Sequence, residues 1–381
     1  MSPHLTSRLP EVGTSIFAVM SKMAADCGAI NLSQGFPDFP VDHDLIDLIH
    51  KHMRAGHNQY APMPGVSALR QALAEVFATT YPYAPDPDTE ITITAGATEA
   101  LFSSIAAFTA PGSEVIFFEP AYDCYSPAIR LNGGIPVPIA LAPPFRIDWQ
   151  QVEDKISPAT RVIIINTPHN PAGVVLQPAD LHHLERLAQK FGLLVISDEV
   201  YERLIYDGLA HESVLKYPAL FRQSVAVFSF GKTFHATGWK VGYTVAPPTL
   251  TAEIRKTHQF ITFSVNTPVQ WALADYLRQP AHYLNLSTFF QRKRDFFLDQ
   301  LKGSSFEALP CEGSYFQLLS YRTISEKPDM AMAEWLTRTH RVAAIPVSVF
   351  YTDKTNHFLL RFCFAKSEET LGRATEILRK L

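Results

Sequence analysis

Several features that define other protein classes are scarce or missing in this chain of 381 residues. It has only four cysteines, which lie far apart and form no C-x-x-C pair, so we expect neither a disulfide framework nor a metal site. No apolar run approaches the roughly 18 residues that a membrane span needs. The first residues also lack the charged start and apolar stretch of a secretory signal. The sequence therefore predicts a cytoplasmic protein with no membrane association.

An excess of charge of one sign is missing as well. The chain has 33 basic and 37 acidic side chains, which gives a formal net charge of −4. A nucleic-acid-binding protein would need a basic face, so we expect no nucleic-acid partner. Hydrophobic residues make up 47% and charged residues 18%, a balance typical of globular proteins.

The chain does contain an alternation of short apolar runs and helical patterns. Such an alternation is typical of an α/β fold with a mostly parallel central sheet covered by helices on both faces. Beyond about residue 302, strand-like and helical segments predict a smaller α+β domain. The predicted strands of the large sheet lie at 91–94, 114–118, 162–165, 193–196 and 225–228.

These patterns, with the chain length, predict more than one domain. Residues 1–45 show no regular pattern and predict an irregular arm that belongs to the small domain. We place the large domain at 46–280 and the small C-terminal domain at 281–381.

One lysine follows the last predicted strand of the large sheet, in a loop of small and hydroxyl residues. A desolvated lysine can form a Schiff base with a carbonyl compound such as pyridoxal phosphate, and Lys232 is in the position to do so. Ser229 and Lys240 flank it and are candidate phosphate ligands. The letters Gly-Lys-Thr resemble the end of a P-loop, but Ala226 stands where that motif needs a glycine. A surface loop with two solvated lysines is the simpler alternative.

Other candidate residues follow the neighbouring strands, where ligands bind in open α/β sheets. Asp198 ends one strand, and a buried carboxylate needs a cation such as a protonated pyridine nitrogen. Asn170 and Tyr201 are candidate donors to a phenolic oxygen, although Asn-Pro by itself is an ordinary turn signal. Ala97 and Thr98 open a helix that could bind an anion, or Thr98 is a plain N-cap.

Tyr122 and Arg361 each have a functional and a purely structural interpretation. Tyr122 could stack on a flat ring or simply pack at a helix start. Arg361 interrupts the apolar run 358–364, and a buried arginine needs a carboxylate partner. That partner is either a substrate or an acidic side chain of the protein.

The chain as a whole resembles the pyridoxal-phosphate-dependent class I aminotransferases, which have the aspartate aminotransferase fold (fold type I). Within them it is similar to the kynurenine/glutamine transaminase branch, and most similar to bacterial methionine aminotransferases. A lysine at position 240, where many class I enzymes have arginine, fits that branch. The resemblance lies in NLSQGFPDF (31–39), NQYAP (58–62), TAGATEAL (94–101), NTPHNP (166–171), SDEVY (197–201) and TGWKVGY (237–243).

The resemblance implies a role for each candidate. Lys232 would carry pyridoxal 5′-phosphate, Asp198 would contact its ring nitrogen, and Arg361 would bind the substrate carboxylate beside the backbone of Gly35. The phenolic oxygen would be held by Asn170 and Tyr201, the ring by Tyr122, and the phosphate by Ala97, Thr98, Ser229 and Lys240. The resemblance further implies a homodimer with shared active sites, in which Tyr60 reaches the phosphate of the neighbouring subunit.

The implied reaction is a ping-pong transfer of an amino group from an L-amino acid to a 2-oxo acid, in which the cofactor alternates between pyridoxal and pyridoxamine forms. Phe17 and Phe263 are candidate walls of an apolar substrate pocket, which favours methionine and also phenylalanine, leucine, histidine or kynurenine-like donors. Two alternatives share the same residues: a β-lyase acting on cysteine conjugates, and an inactive binding or regulatory protein. The sequence leaves the roles of His169 and His235 open.

Overall fold

The strands of this protein are short and rich in Val, Ile and Phe, as expected for a sheet buried on both faces. The computed structural model describes residues 6–381, so the first five residues of the predicted arm lie outside the described residues. The strands are β1 (Ile30–Asn31), β2 (Ile91–Thr94), β3 (Glu114–Glu119), β4 (Ile135–Ala140), β5 (Thr160–Asn166), β6 (Leu194–Asp198), β7 (Ser224–Ser229), β8 (Gly242–Val245), β9 (Glu307–Ala308), β10 (Phe316–Ser320), β11 (Val342–Ala343), β12 (Ile345–Pro346) and β13 (Leu359–Cys363).

Helices connect these strands and cover the sheet. They are α1 (Ile16–Cys27), α2 (His43–Arg54), α3 (Ser67–Thr80), α4 (Ala97–Phe108), α5 (Tyr125–Leu131), α6 (Trp149–Lys155), α7 (Pro178–Phe191), α8 (Pro218–Phe221), α9 (Phe230–Thr233), α10 (Pro248–Ile261), α11 (Thr267–Tyr276), α12 (Ala281–Leu284), α13 (Leu286–Gln300), α14 (Asp329–His340) and α15 (Glu368–Leu378). None of the helices within residues 6–381 is long and apolar enough to cross a membrane.

Seven strands form the large sheet, in the order β2-β8-β7-β6-β5-β3-β4. All neighbours are parallel except β8, which runs antiparallel to both β2 and β7. The prediction of a mostly parallel sheet in an α/β fold is therefore confirmed. The register places Asn166 opposite Asp198, and Ser229 opposite Gly242, so the carboxyl ends of β5, β6 and β7 lie at one edge.

A second apolar core forms around a four-stranded antiparallel sheet of order β12-β13-β10-β9. Helices α13, α14 and α15 contribute Phe290, Phe297, Leu336 and Leu371 to this core. The chain's N-terminal part joins it as well, because β1 pairs in parallel with β11. The domain boundaries at residues 45 and 280 stay predictions.

The prediction that the first 45 residues are irregular was wrong. Residues Ile16–Cys27 form a helix whose Met20 and Met23 are buried in the second core. Ser15 caps it by accepting a hydrogen bond from the amide of Ala18, and Gly28 ends it in the left-handed conformation. Both end signals are present in the sequence and could have predicted this helix.

Candidate active site

The candidate residues that follow the strands of the large sheet meet at one cavity of about 340 Å³. The small-domain core closes its other side, because Phe316 and Arg361 come from β10 and β13. Among the predicted residues, those that line this cavity are Phe17, Gly35, Ala97, Thr98, Tyr122, Asn170, Asp198, Tyr201, Ser229, Lys232, Lys240 and Arg361.

Lys232 reaches the cavity from the short helix α9, which begins directly after β7. Its Nζ atom lies 3.4 Å from the backbone oxygen of Gly35, to which it donates. Burial lowers the pKa of Lys232 to about 8, and the nearby cations Arg361 and Lys240 shift it in the same direction. A lysine in this setting is neutral far more often at neutral pH than an exposed one, which suits a nucleophile and base.

Asp198 ends β6 and turns its carboxylate into the same cavity. Burial raises its pKa to about 6, against the opposing effect of a hydrogen bond from Tyr125. The Tyr125 hydroxyl donates to Oδ2 over 2.7 Å. Asp198 therefore is an anion at pH 7 that favours a cationic partner.

Two asparagines hold the loop after β5 against Asp198. The Asn166 amide donates to the backbone oxygen of Asp198 over 2.9 Å, and its side-chain oxygen accepts from the backbone of Asn170 over 2.8 Å. Tyr201, three residues after Asp198, packs edge-on against Tyr315, with ring centroids 5.1 Å apart. Asn170 and Tyr201 thus line the same cavity as Lys232.

Arg361 is fully buried in β13. It donates from Nη1 to the side-chain oxygen of Asn170 over 3.0 Å and from Nη2 to the backbone of Ser33 over 2.9 Å, and it stacks 3.9 Å above the ring of Phe316. Burial lowers its pKa to about 10, so it stays charged at neutral pH. Its buried Nε atom has no hydrogen-bond partner, and no acidic side chain within residues 6–381 forms a salt bridge with it. A ligand carboxylate fits this cation better than the protein acid considered above.

The N-terminus of α4 forms the opposite end of the cavity. Gly96 is its N-cap, with φ of 78°, and no side chain caps the helix, so the reading of Thr98 as the N-cap was wrong. A Cβ atom on Gly96 would come within 3.3 Å of Lys240 Nζ, and one on Gly242 within 2.8 Å of the Ala97 amide. The glycines therefore let Lys240 and the free amides of α4 share one small space, which suits an anion.

Tyr122 lies between this anion site and Asp198. Its hydroxyl is 3.2 Å from Thr98 Oγ1, and its ring packs edge-on to Tyr125 at 5.9 Å. The donor set fits pyridoxal 5′-phosphate: a cradle for the phosphate, an anion for the ring nitrogen, two donors for the phenolic oxygen and an amine for the carbonyl carbon.

Two predicted residues do not reach the cavity of this chain. Tyr60 is 82% exposed and Phe263 is 45% exposed, and their rings contact each other with centroids 5.5 Å apart. Neither lines the cavity that holds Lys232. The assignment of Phe263 to a substrate pocket stays a prediction.

Several residues that shape the site were missed by the sequence analysis. Tyr125 lies three positions after Tyr122, the spacing that puts two residues on one face of a helix start. Asn166 opens the NTPHNP segment and was passed over in favour of Asn170. Tyr315 donates to the backbone oxygen of Gly35, and no local signal distinguished it from a core aromatic.

Of the two histidines left open, His169 is buried and His235 is half-buried. Burial lowers the pKa of His169 and of His235 to about 4, so both are neutral at pH 7. His235 packs against Phe39 and Phe290 and does not line the cavity. Within the described part of the chain, no group of His, Cys, Asp or Glu is arranged to hold a metal ion.

Comparison with known proteins identifies the family that has this arrangement. The family model described as "Aminotransferase class I and II" matches residues 28–378, which is nearly the whole chain. The chain belongs to the class I and II aminotransferases. It is therefore a pyridoxal-phosphate-dependent aminotransferase that acts on amino acids and 2-oxo acids.

Individual aminotransferases of this family are similar over their whole length. The methionine aminotransferase of Escherichia coli (strain K12) is 53% identical over 98% of both chains. Kynurenine–oxoglutarate transaminase 3 of Mus musculus is 34% identical over 98% of this chain and 89% of its own length. The resemblance drawn from the sequence motifs is confirmed by these matches.

Solved structures agree in fold. An Escherichia coli structure reported with a methionine aminotransferase function is 52% identical, covers 100% of both chains and superposes with a TM-score of 0.98. The N-succinyldiaminopimelate aminotransferase of Mycobacterium tuberculosis is 34% identical over 99% of this chain and 100% of its own, with a TM-score of 0.95. The predicted fold type I is therefore confirmed.

Proposed function

We propose that this aminotransferase uses L-methionine as its preferred amino donor and also accepts phenylalanine, leucine, histidine and kynurenine-like amino acids. The names of the two relatives above support methionine and kynurenine as donors. Two aromatic rings of the cavity wall, Phe17 and Phe316, lie against Arg361, which is the one arginine among the described residues that line the cavity. A second carboxylate, as in aspartate, would find no arginine there.

The burial of Arg361 without a salt bridge to any acidic side chain within residues 6–381 is the observation that carries the proposal. A guanidinium with an unpartnered Nε atom costs free energy unless an anion satisfies it. The α-carboxylate shared by amino acids and 2-oxo acids is such an anion, and it would lie on the Lys232 side of the cavity. Arg361 donates to the side chain of Asn170, and Lys232 donates to the backbone oxygen of Gly35.

Bound pyridoxal 5′-phosphate supplies the carbonyl carbon that accepts the amino group and the conjugated ring that takes up electrons when a bond at the substrate's α-carbon breaks. Lys232 is proposed to take the proton from that α-carbon and to return it at the carbonyl carbon. Its burial supports this role, because a neutral amine is needed to accept a proton. Arg361 keeps the α-carbon within reach by fixing the carboxylate.

The remaining residues are proposed to hold the cofactor. Asp198 pairs with the protonated ring nitrogen, and Asn170 and Tyr201 hold the phenolic oxygen. Tyr122 covers the ring face. The phosphate takes its hydrogen bonds from the start of α4 and from charged or hydroxyl side chains, namely Ala97, Thr98, Ser229 and Lys240.

A homodimer with shared active sites belongs to the same proposal. Large apolar side chains cluster at the end of α10 and are exposed, with Phe260 at 85%, Ile261 at 45% and Phe263 at 45%. Tyr60 packs against this patch. Such an apolar surface is typical of an interface, and a second copy would bring Tyr60 and Phe263 to the neighbouring cavity. A cytoplasmic location stays a prediction.

Single-turnover kinetics with different amino donors test the substrate proposal. The purified enzyme in its pyridoxal form is mixed with L-methionine, L-phenylalanine or L-aspartate without an oxo acid, and the absorbance of the cofactor is followed. Methionine and phenylalanine should react within about a hundredfold of each other, since apolar side chains differ by only about 1–3 kcal/mol. Aspartate should react at least a hundredfold more slowly than methionine. Equal rates for aspartate and methionine would contradict the proposed specificity.

A further inference from the structure

A buried acid–base pair lies directly behind the phosphate cradle and has no part in the proposed proton transfers. Glu99 lies in the first turn of α4, and His258 in the last turn of α10 has no exposed surface. The His258 Nδ1 atom is 3.0 Å from Glu99 Oε1. The same carboxylate accepts the backbone amide of Ala95 over 3.0 Å at Oε2 and the hydroxyl of Ser103 at Oε1. Both carboxylate oxygens of Glu99 are therefore engaged within the protein, and three groups contact them.

The other ring nitrogen of His258 also faces a hydrogen-bond acceptor. Nε2 lies 3.2 Å from the backbone oxygen of Met63, which can only accept a hydrogen bond. Both ring nitrogens thus face acceptors, and each needs a proton to make its contact. The C-terminal position in α10 also favours a cation, since the helix dipole is negative there. With a proton on each ring nitrogen, His258 would be an imidazolium paired with the buried Glu99 carboxylate.

This position of Glu99 creates an electrostatic conflict. The start of α4 is the place where Ala97, Thr98 and Lys240 are proposed to bind a phosphate that carries up to two negative charges. A carboxylate in the same turn repels a second anion, and repulsion is strong in a buried site because water does not screen it. Without a compensating cation, Glu99 would weaken the binding of any phosphate at this end of the cavity.

We propose that His258 is a positioning residue for the cofactor phosphate: it neutralises Glu99 and keeps that carboxylate on the Ala95 amide, away from the anion site. The Ala95 amide directly precedes Gly96, so the Glu99 contact also sets the entry of the chain into α4. The backbone oxygen of Met63, three residues after Tyr60, holds the imidazole at its other nitrogen. The inference rests on the proposed phosphate site.

The charges of the pair can be separated by substitution. In His258→Gln, the amide still donates a hydrogen bond, but the positive charge is lost and Glu99 is left uncompensated. In the double variant Glu99→Gln/His258→Gln, both charges are gone. A charge effect predicts that the double variant binds phosphate better than the single variant, whereas a purely structural role predicts that it binds no better.

The measurement is the affinity of the full-length protein, freed of cofactor, for pyridoxal 5′-phosphate and for pyridoxal, followed by tryptophan fluorescence. The ratio of the two affinities isolates the contribution of the phosphate group. We expect His258→Gln to lower this ratio at least tenfold and the double variant to return it to within threefold of the wild type. Thermal unfolding of each cofactor-free variant checks that the protein is folded.

His211→Gln is the matched control. It removes a second histidine that pairs with a glutamate and has a buried side chain, because His211 Nε2 lies 2.8 Å from Glu199 Oε2. This variant should leave the affinity ratio within threefold of the wild type. A comparable loss in His211→Gln would overturn the inference.

Two other results would also overturn it. One is an unchanged ratio in His258→Gln, and the other is a double variant as weak as the single one. Nitrogen NMR gives an independent check, since the His258 signals, assigned by their loss in His258→Gln, should show both ring nitrogens protonated at pH 7. If the wild type itself shows no preference for pyridoxal 5′-phosphate over pyridoxal, the proposed phosphate site fails instead.

Discussion

The edge of the large sheet and the exposed face at the end of α10 present their site residues in opposite ways. At the sheet edge, Asn170 comes from a loop, Asp198 from the end of β6 and Lys232 from α9, and the three still meet in one cavity. At the exposed face, Tyr60 and Phe263 contact each other but point to solvent. The first site is assembled by the topology of one chain, whereas the second is proposed to be completed by a second copy.

This contrast has a simple physical origin. Parallel strands end at the same edge, so residues that follow them are brought together whatever their separation in sequence. Nothing in a single chain brings the α10 face to the cavity. Substitutions at the sheet edge should therefore change chemistry or binding within one chain, and substitutions at the exposed face should change assembly.

The largest effect is expected at Lys232. Lys232→Ala should slow the reaction with L-methionine in single turnovers by at least about a thousandfold, because the proposed proton-transferring amine is lost. Lys256→Ala is the control, since Lys256 is exposed and pairs only with Glu253. A Lys232→Ala rate within tenfold of the wild type would exclude this role.

Arg361→Lys should have the next largest effect. Lysine keeps the buried charge but cannot make the planar paired contacts of a guanidinium. The KM for L-methionine should rise about a hundredfold, which corresponds to about 3 kcal/mol, and kcat should change less. Steady-state kinetics separate the two constants. A large fall in kcat with an unchanged KM would argue that Arg361 does not bind the substrate.

His169, in the loop after β5, should make the stability of the folded protein depend on pH. Because its pKa is lowered to about 4 in the folded protein, the unfolded chain binds a proton more readily and stability falls as pH drops from about 6.5 to 4. A shift of this size corresponds to about 3 kcal/mol. The free energy of unfolding is measured in urea at pH 7 and at pH 4. Its fall between these two pH values should be about 3 kcal/mol smaller in His169→Gln than in the wild type. The exposed His50→Gln is the control, and an identical pH dependence in His169→Gln would refute the assignment.

The smallest effect is expected at the exposed face. Phe260→Ala should weaken the proposed dimer at least tenfold, since it removes the most exposed aromatic ring of the apolar patch. Sedimentation over a range of concentrations measures the dissociation constant. Leu284→Ala removes an apolar side chain that is 61% exposed on α12 and should leave assembly unchanged. Equal effects of both substitutions would speak against this face as the interface.

The sequence predicts the sheet edge better than the exposed face. Residues such as Asp198 and Lys232 could be found because each follows an apolar run, and a parallel sheet converts that local signal into proximity. The antiparallel direction of β8 could not be predicted, because apolar patterning does not encode strand direction. Tyr125 and His258 were missed because their partners Asp198 and Glu99 are distant in sequence.

The position of Phe263 at the surface could not be predicted from the sequence. As an aromatic residue after a helix it could be predicted as a pocket wall, but its place depends on which chain supplies the cavity. The helix α1 is a different case, since its Ser15 and Gly28 end signals are local. The Pro-rich segment 35–40 that follows carries no such end signals.

The central claim, that the residues converging at the sheet edge transfer the amino group of methionine, is tested most directly by one spectrum. The purified protein with bound cofactor is mixed with L-methionine in the absence of any oxo acid. The account predicts that the absorbance band of bound pyridoxal gives way to that of the pyridoxamine form, and that this conversion is lost in Lys232→Ala. A pyridoxal band that methionine leaves unchanged would contradict it.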